Sequence, residues 1–162
     1  MVEAQSKKSF CVGAERDGRR LYAMALPGLV RPVEDDLKML IAHDVGAIVT
    51  MIQDPIVLPL QFRPRFAQLH LPVENFEPPT IEQLEKFVAF VDEQFSRGVN
   101  VAVHCLMGIG RTGTAIAAYR VSRGETPEQA IAGLREIRNF IETKEQEEMV
   151  TAYWRHLRGK VR

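Results

Sequence analysis

The stretch Val99-Asn100-Val101-Ala102-Val103-His104-Cys105-Leu106-Met107-Gly108-Ile109-Gly110-Arg111-Thr112-Gly113 decides how the rest of the chain is read. Its first six residues are apolar and β-branched enough for a short buried strand, Val99 to His104. A helix is predicted from about Arg111 to Arg123, closed by Gly124. Between strand and helix lies a turn with glycines at 108 and 110. Such a turn lets backbone amides converge on one point, and the following helix adds its positive end, so it is expected to cradle an anion. Arg111 supplies a planar fork matched to two phosphate oxygens. Cys105 sits at the base of this electropositive cup, the setting in which a thiol serves as a nucleophile, and Thr112 can donate a hydroxyl hydrogen bond to its sulfur.

Outward from this core, the chain alternates strand and helix signals. Phe10-Cys11-Val12 and Leu21-Tyr22-Ala23-Met24 flank a turn containing Asp17-Gly18 and read as two short strands. Acidic Glu34-Asp35-Asp36 opens a helix with Leu37, Leu40 and Ile41 on its apolar face. Ala47 to Met51 reads as a buried strand, Gln53 to Pro64 with its three prolines as a surface loop, and Phe66 to Leu71 as another strand. Thr80-x-x-Gln83, Thr126-Pro127-x-Gln129 and Thr143-x-x-Gln146 each match a capping box, and so predict three helix starts. The first of these helices carries Ile81, Leu84, Phe87, Val88, Val91 and Phe95 at helical spacing and stops at Gly98. The second presents Ala130, Ile131, Leu134 and Ile137, the third Met149, Val150, Tyr153 and Leu157. Strands alternating with helices, then helices alone, imply an α/β fold: a central, mostly parallel sheet of about four to five strands flanked by helices.

Composition narrows the function. The 162 residues carry 21 Lys plus Arg against 21 Asp plus Glu, so no bulk charge points to nucleic acid or an anionic membrane as partner. With 46% apolar and 26% charged residues the composition is that of a soluble globular protein, and no apolar stretch suffices for a transmembrane helix. No repeat or linker divides the chain, which reads as one domain over 1–162, with 1–8 a loose end. Met1 to Ser9 contains no apolar signal segment, and two cysteines are too few for a disulfide scaffold or a thiolate cage, so a reducing, cytoplasmic location is expected.

The sequence His104-Cys105-x-x-Gly108-x-Gly110-Arg111-Thr112-Gly113 resembles the signature of the cysteine-dependent protein tyrosine phosphatases. The short chain and uncharged loop residues are similar to the small atypical dual-specificity branch, and the resemblance covers roughly residues 20 to 158. Leu71-Pro72-Val73-Glu74-Asn75-Phe76-Glu77-Pro78-Pro79 sits where that family has its acid-bearing loop, and Ile141 to Glu147 is similar to a segment some small members carry after the penultimate helix. The resemblance implies a phosphatase-like fold and phosphomonoester hydrolysis through a phosphocysteine on Cys105. Phosphotyrosine proteins are the first expected substrates, with phosphoserine/threonine proteins and aryl phosphates beside them. It implies phosphate binding by Arg111 and by the loop from Leu106 through Met107, Gly108, Ile109 and Gly110. His104 is expected to hydrogen-bond the loop, and Gln146 to serve the capping box or to place a water. No cofactor and no metal are implied. The chain departs from the pattern at Asn75, where the general-acid aspartate is expected; an amide cannot protonate a leaving group. Glu74, Glu77 and Glu142 are the candidate surrogates. Neighbouring residues of an extended loop point opposite ways and Pro78-Pro79 limits Glu77, which favours Glu142.

Other readings compete for the same residues. Gly108-x-Gly110-x-x-Gly113 matches the dinucleotide fingerprint literally, but the remaining residues read as helices, without the next strand and its acidic residue. A Walker A loop fails because no Gly-Lys-Ser/Thr follows. A phosphoprotein-binding module with weak turnover would account for Asn75 but leaves Cys105 without a purpose. Arg63 and Arg65 read as a solvated loop, Cys11 as a small strand residue and Trp154 as packing. His43, His70 and His156 share no metal-ligand spacing.

Overall fold

A computed structural model describes residues 10–160; the loose end expected at 1–8 lies outside them. Five strands, β1 (Cys11–Arg16), β2 (Arg19–Met24), β3 (Val45–Thr50), β4 (Ala67–His70) and β5 (Asn100–His104), form one sheet in the order β1-β2-β5-β3-β4. The β2–β5, β5–β3 and β3–β4 pairings are parallel, and only β1–β2 is antiparallel. That hairpin turns at Asp17 and Gly18, which take φ of 51° and 81°, the left-handed geometry a two-residue turn requires. The helices are α1 (Val33–Ala42), α2 (Ile81–Ser96), α3 (Gly110–Ser122), α4 (Pro127–Ile137) and α5 (Lys144–Gly159). The expected α/β architecture with a mostly parallel sheet is the one the chain adopts.

Strand alternation divides the core in two. Leu21, Ala23, Ala47, Val49, Val101 and Val103 face α2, α3, α4 and α5, while Tyr22, Met24, Ile48 and Ala102 face α1 and the segment before β4. All three threonine capping boxes form, each with the threonine oxygen accepting the N3 amide and the N3 glutamine accepting the cap amide. Each cap stabilises its helix by about 1 kcal/mol. Helix α3 is buried along almost its whole length, consistent with its small residues Gly113, Ala115, Ala117 and Ala118.

Two expectations are corrected. The proline-rich stretch 53–64 is not wholly a surface loop: a 3-10 turn spans Leu60–Arg65, and Leu58 and Phe62 are buried against α1. The apolar residues between the prolines join the core on the α1 side of the sheet rather than making a solvated excursion. Ile137, placed on the apolar face of α4, is 48% exposed at the helix end, where the chain turns away through Arg138. Among the described residues no helix is long and apolar enough to cross a membrane.

Candidate active site

The C-terminal ends of the four parallel-paired strands bring four loops to one edge of the sheet, where open α/β sheets place ligands. Backbone bonds lock these ends together: Met51 N–H donates to His104 O, and Leu71 N–H to Thr50 O, both at 2.9 Å. The loop between β5 and α3 is fixed by its neighbours. Leu26 N–H donates to Leu106 O at 2.9 Å, while Ile109 O accepts from Gly113 at 3.0 Å and Ile141 at 3.2 Å. Among the described residues, the N–H groups of Leu106 through Thr112 have no backbone acceptor, which leaves them free to serve an anion.

Two glycines make this loop possible. Gly108 has φ of 73°, and a Cβ there would stand 2.4 Å from Met24 O. A Cβ on Gly110 would stand 2.5 Å from Glu142 Oε1 and 3.0 Å from Gln146 Nε2. The loop therefore packs against β2 on one side and the 142–146 segment on the other.

Cys105 lies at the base, only 3% exposed, and Thr112 Oγ1 donates to its sulfur at 3.2 Å. Arg111 is buried, and its guanidinium donates to Val73 O at 2.9 Å, to Met51 O at 3.5 Å and to Asn75 Oδ1 at 3.3 Å. These bonds orient the fork without neutralising it, since every acceptor is uncharged. Leu106 and Met107 are exposed at the rim, and Ile109 is half-buried.

His104 is fully buried between two partners. Its Nδ1 meets Cys105 O at 2.9 Å and its Nε2 meets Thr50 Oγ1 at 2.8 Å. A carbonyl can only accept, so Nδ1 carries the proton and Nε2 accepts from the Thr50 hydroxyl. Burial pushes the imidazole down to about 4; the bond to the Cys105 carbonyl opposes this, and Arg111 and His70 reinforce it. The ring is neutral near pH 7 and supports the loop by hydrogen bonds, not by charge. Thr50 was missed in the sequence. Its signal is a polar residue closing an otherwise apolar buried strand.

The remaining candidates separate cleanly. Asn75 is exposed, yet its side chain reaches Arg111. Glu142 is exposed, with its carboxylate beside Gly110. Glu74 accepts from Gln53 at 3.1 Å, and Glu77 offers its backbone carbonyl to Gln146. Arg63 donates to Leu58 O, and Arg65 shares a groove with Asp44 and Val99 at the opposite ends of the strands, so neither lines the cup. Cys11 stands in edge strand β1, with burial raising its thiol pKa, the nearby Arg138 opposing this. Trp154 packs beneath the Arg158 guanidinium, 4.5 Å away. His43, His70 and His156 bond separately to Met39 O, Ile52 O and the Glu85 carboxylate.

The chain has counterparts among known proteins. Residues 22–125, well over half the chain, match the family described as polymorphic toxin system, DSP-PTPase phosphatase. The chain belongs to this phosphatase family. The uncharacterized protein MJECL20 of Methanocaldococcus jannaschii is 34% identical over 96 residues, covering 58% of this chain and 64% of that protein. The chain thus matches less than two thirds of the length of this relative and of a second from the same archaeon. Among solved structures, the phosphatase Tk-PTP in its active form superposes with a TM-score of 0.74 at 27% identity, covering 91% of this chain and 97% of Tk-PTP. PTPMT1 in complex with PI(5)P has the same fold, with a TM-score of 0.80 at 22% identity over 95% of this chain and 99% of that one.

Proposed function

We propose that this chain hydrolyses phosphomonoesters by covalent catalysis on Cys105, with phosphotyrosine proteins or aryl phosphates as the favoured substrates. The observation that carries the reading is the placement of the Cys105 sulfur, the Thr112 hydroxyl and the Arg111 fork around unpaired loop amides. Cys105 attacks phosphorus, so an S–P bond forms as the P–O bond to the leaving group breaks. Arg111 and the amides of Leu106 through Arg111 stabilise the charge spread over the phosphoryl oxygens. Water then attacks phosphorus, the S–P bond breaks, and inorganic phosphate leaves with the sulfur restored.

The leaving oxygen needs a proton only where it is a poor leaving group. Asn75 cannot supply one, and Glu142, whose carboxylate lies beside Gly110, is the proposed surrogate acid. Phenolic leaving groups depend on such help less than alkyl ones. The loop offers uncharged Leu106 and Ile109 where an anionic phosphoinositide headgroup would call for added cations, which favours the protein or aryl substrate.

One observation favours a second reading, a phosphoprotein-binding module with little turnover: an amide stands at the acid position. Steady-state hydrolysis of p-nitrophenyl phosphate and of a phosphopeptide panel, with Cys105→Ser as control, decides between them. Turnover is expected to fall at least about 10³-fold in the serine variant. Binding of phosphopeptide without Cys105-dependent turnover would establish the module instead.

A further inference from the structure

Gln146 is completely buried, and its amide does more than a helix cap requires. In the capping box its Oε1 accepts from Thr143 N at 3.2 Å, and the same oxygen accepts from Glu142 N at 2.9 Å. Both lone pairs are thus used, and a glutamate would serve the box equally well. The amide nitrogen donates instead to Glu77 O, 69 residues away, at 3.3 Å. Its cap partner Thr143 likewise turns its hydroxyl to the adjacent carbonyl, Phe76 O, at 3.3 Å.

The other two boxes show that this is a feature of the loop. In the α2 box the spare Gln83 amide donates to Pro72 O at 2.9 Å, on the same loop. In the α4 box Gln129 is exposed and bonds only within its own cap. With Arg111 on Val73 O, side chains from α2, α3 and the start of α5 hold four carbonyls between Pro72 and Glu77. Phe76 is kept at φ of 67°, left-handed geometry that a phenylalanine adopts only when its surroundings impose it.

We propose that Gln146 is a positioning residue: its amide N–H straps the 72–79 loop across the phosphate loop, and so sets where Asn75 meets Arg111. The loop is a fixed wall of the cup rather than a closing flap. With its oxygen saturated, Gln146 has no acceptor left for the hydrolytic water, and its amide N–H is turned to the wall. The inference rests on the proposed phosphatase reading only for its catalytic consequence; the strap itself is tested without turnover.

The test is Gln146→Glu, which preserves the cap but replaces the N–H donor with a carboxylate. Amide hydrogen exchange at Phe76 and Glu77 is expected to speed up by at least about fivefold at pH 8, the worth of one modest hydrogen bond. It should return towards wild type at low pH, where the protonated acid donates again. The same substitution at the exposed box, Gln129→Glu, should leave both amides unchanged. On p-nitrophenyl phosphate, KM should rise and the phosphorylation step should slow. Wild-type exchange at Phe76 and Glu77, whose amides bond within the loop to Asn75 Oδ1 and Glu74 O, slower than at the likewise exposed Gln53 and Asp54, is a second measurement that needs no variant. Unchanged exchange in Gln146→Glu would overturn the strap, as would equal exchange of the two wild-type segments. So would a burst of p-nitrophenol followed by slow turnover with protection intact, which is the signature of a water-orienting role.

Discussion

Between His104 and Gly113 the backbone is held chiefly by main-chain bonds to the strands and loops beside it. Between Pro72 and Pro79 it makes one main-chain bond of its own, Glu77 N–H to Glu74 O, and is otherwise held chiefly by side chains that arrive from three helices. The first loop owes its shape to residues inside it: Gly108 and Gly110 permit the close approaches, and His104 and Thr112, at its two ends, both bond to Cys105. The second owes its shape to Gln83, Arg111, Thr143 and Gln146. The loop between β5 and α3 is therefore expected to tolerate little change within its own sequence, and the facing loop to respond to substitutions far away in the chain.

Arg111 belongs to both loops and should give the largest effect after Cys105 itself. Arg111→Lys keeps the charge but loses the fork and its bonds to Val73 O and Asn75, so kcat is expected to fall at least about 100-fold. A lysine variant of wild-type activity would show that the two loops are not joined through this residue.

The next contrast lies between Asn75, which meets Arg111, and Glu142, whose carboxylate lies beside Gly110. A general acid contributes about 10²–10⁴-fold when the leaving group needs a proton. Glu142→Gln should therefore slow alkyl phosphates more than aryl phosphates. Asn75→Asp should raise activity on poor leaving groups. If Glu142→Gln matches wild type across a series of graded leaving groups while Asn75→Asp gains, the natural chain works without an acid from Glu142.

The smallest expected effect concerns the support beneath the phosphate loop. His104 is held at about 4 against an ordinary value of 6.5, so the unfolded chain binds the extra proton first as pH falls. The resulting stabilisation is complete above about pH 6.5 and is lost as pH falls towards 4. Urea denaturation at intervals from pH 7 to 4.5 should show the midpoint declining, and His104→Asn should decline less steeply. Equal slopes would remove His104 as the cause.

The segment from Val99 to Gly113 was readable because its determinants are local. A β-branched run must become a buried strand, the glycines force a turn, and the small residues after Arg111 suit a helix buried by its neighbours. The capping boxes were readable for the same reason, since threonine and glutamine three residues apart satisfy each other within one turn. Local pattern misjudged 53–64 and Ile137, where burial depends on what the rest of the chain places opposite.

The sequence by itself determined the strand–turn–helix unit, the grouping of Cys105, Arg111 and Thr112 around one turn, and the α/β class. Each follows from the spacing of neighbouring residues and from dihedral angles that single residues impose. Only the tertiary structure decided that Thr50 fixes the His104 tautomer, that Arg111 is oriented by Val73 O and Asn75, and that Gln146 reaches Glu77. Those bonds join residues 36 to 69 positions apart. No periodicity records them, because they form only when packing has brought the strand ends and helix starts to the same edge of the sheet.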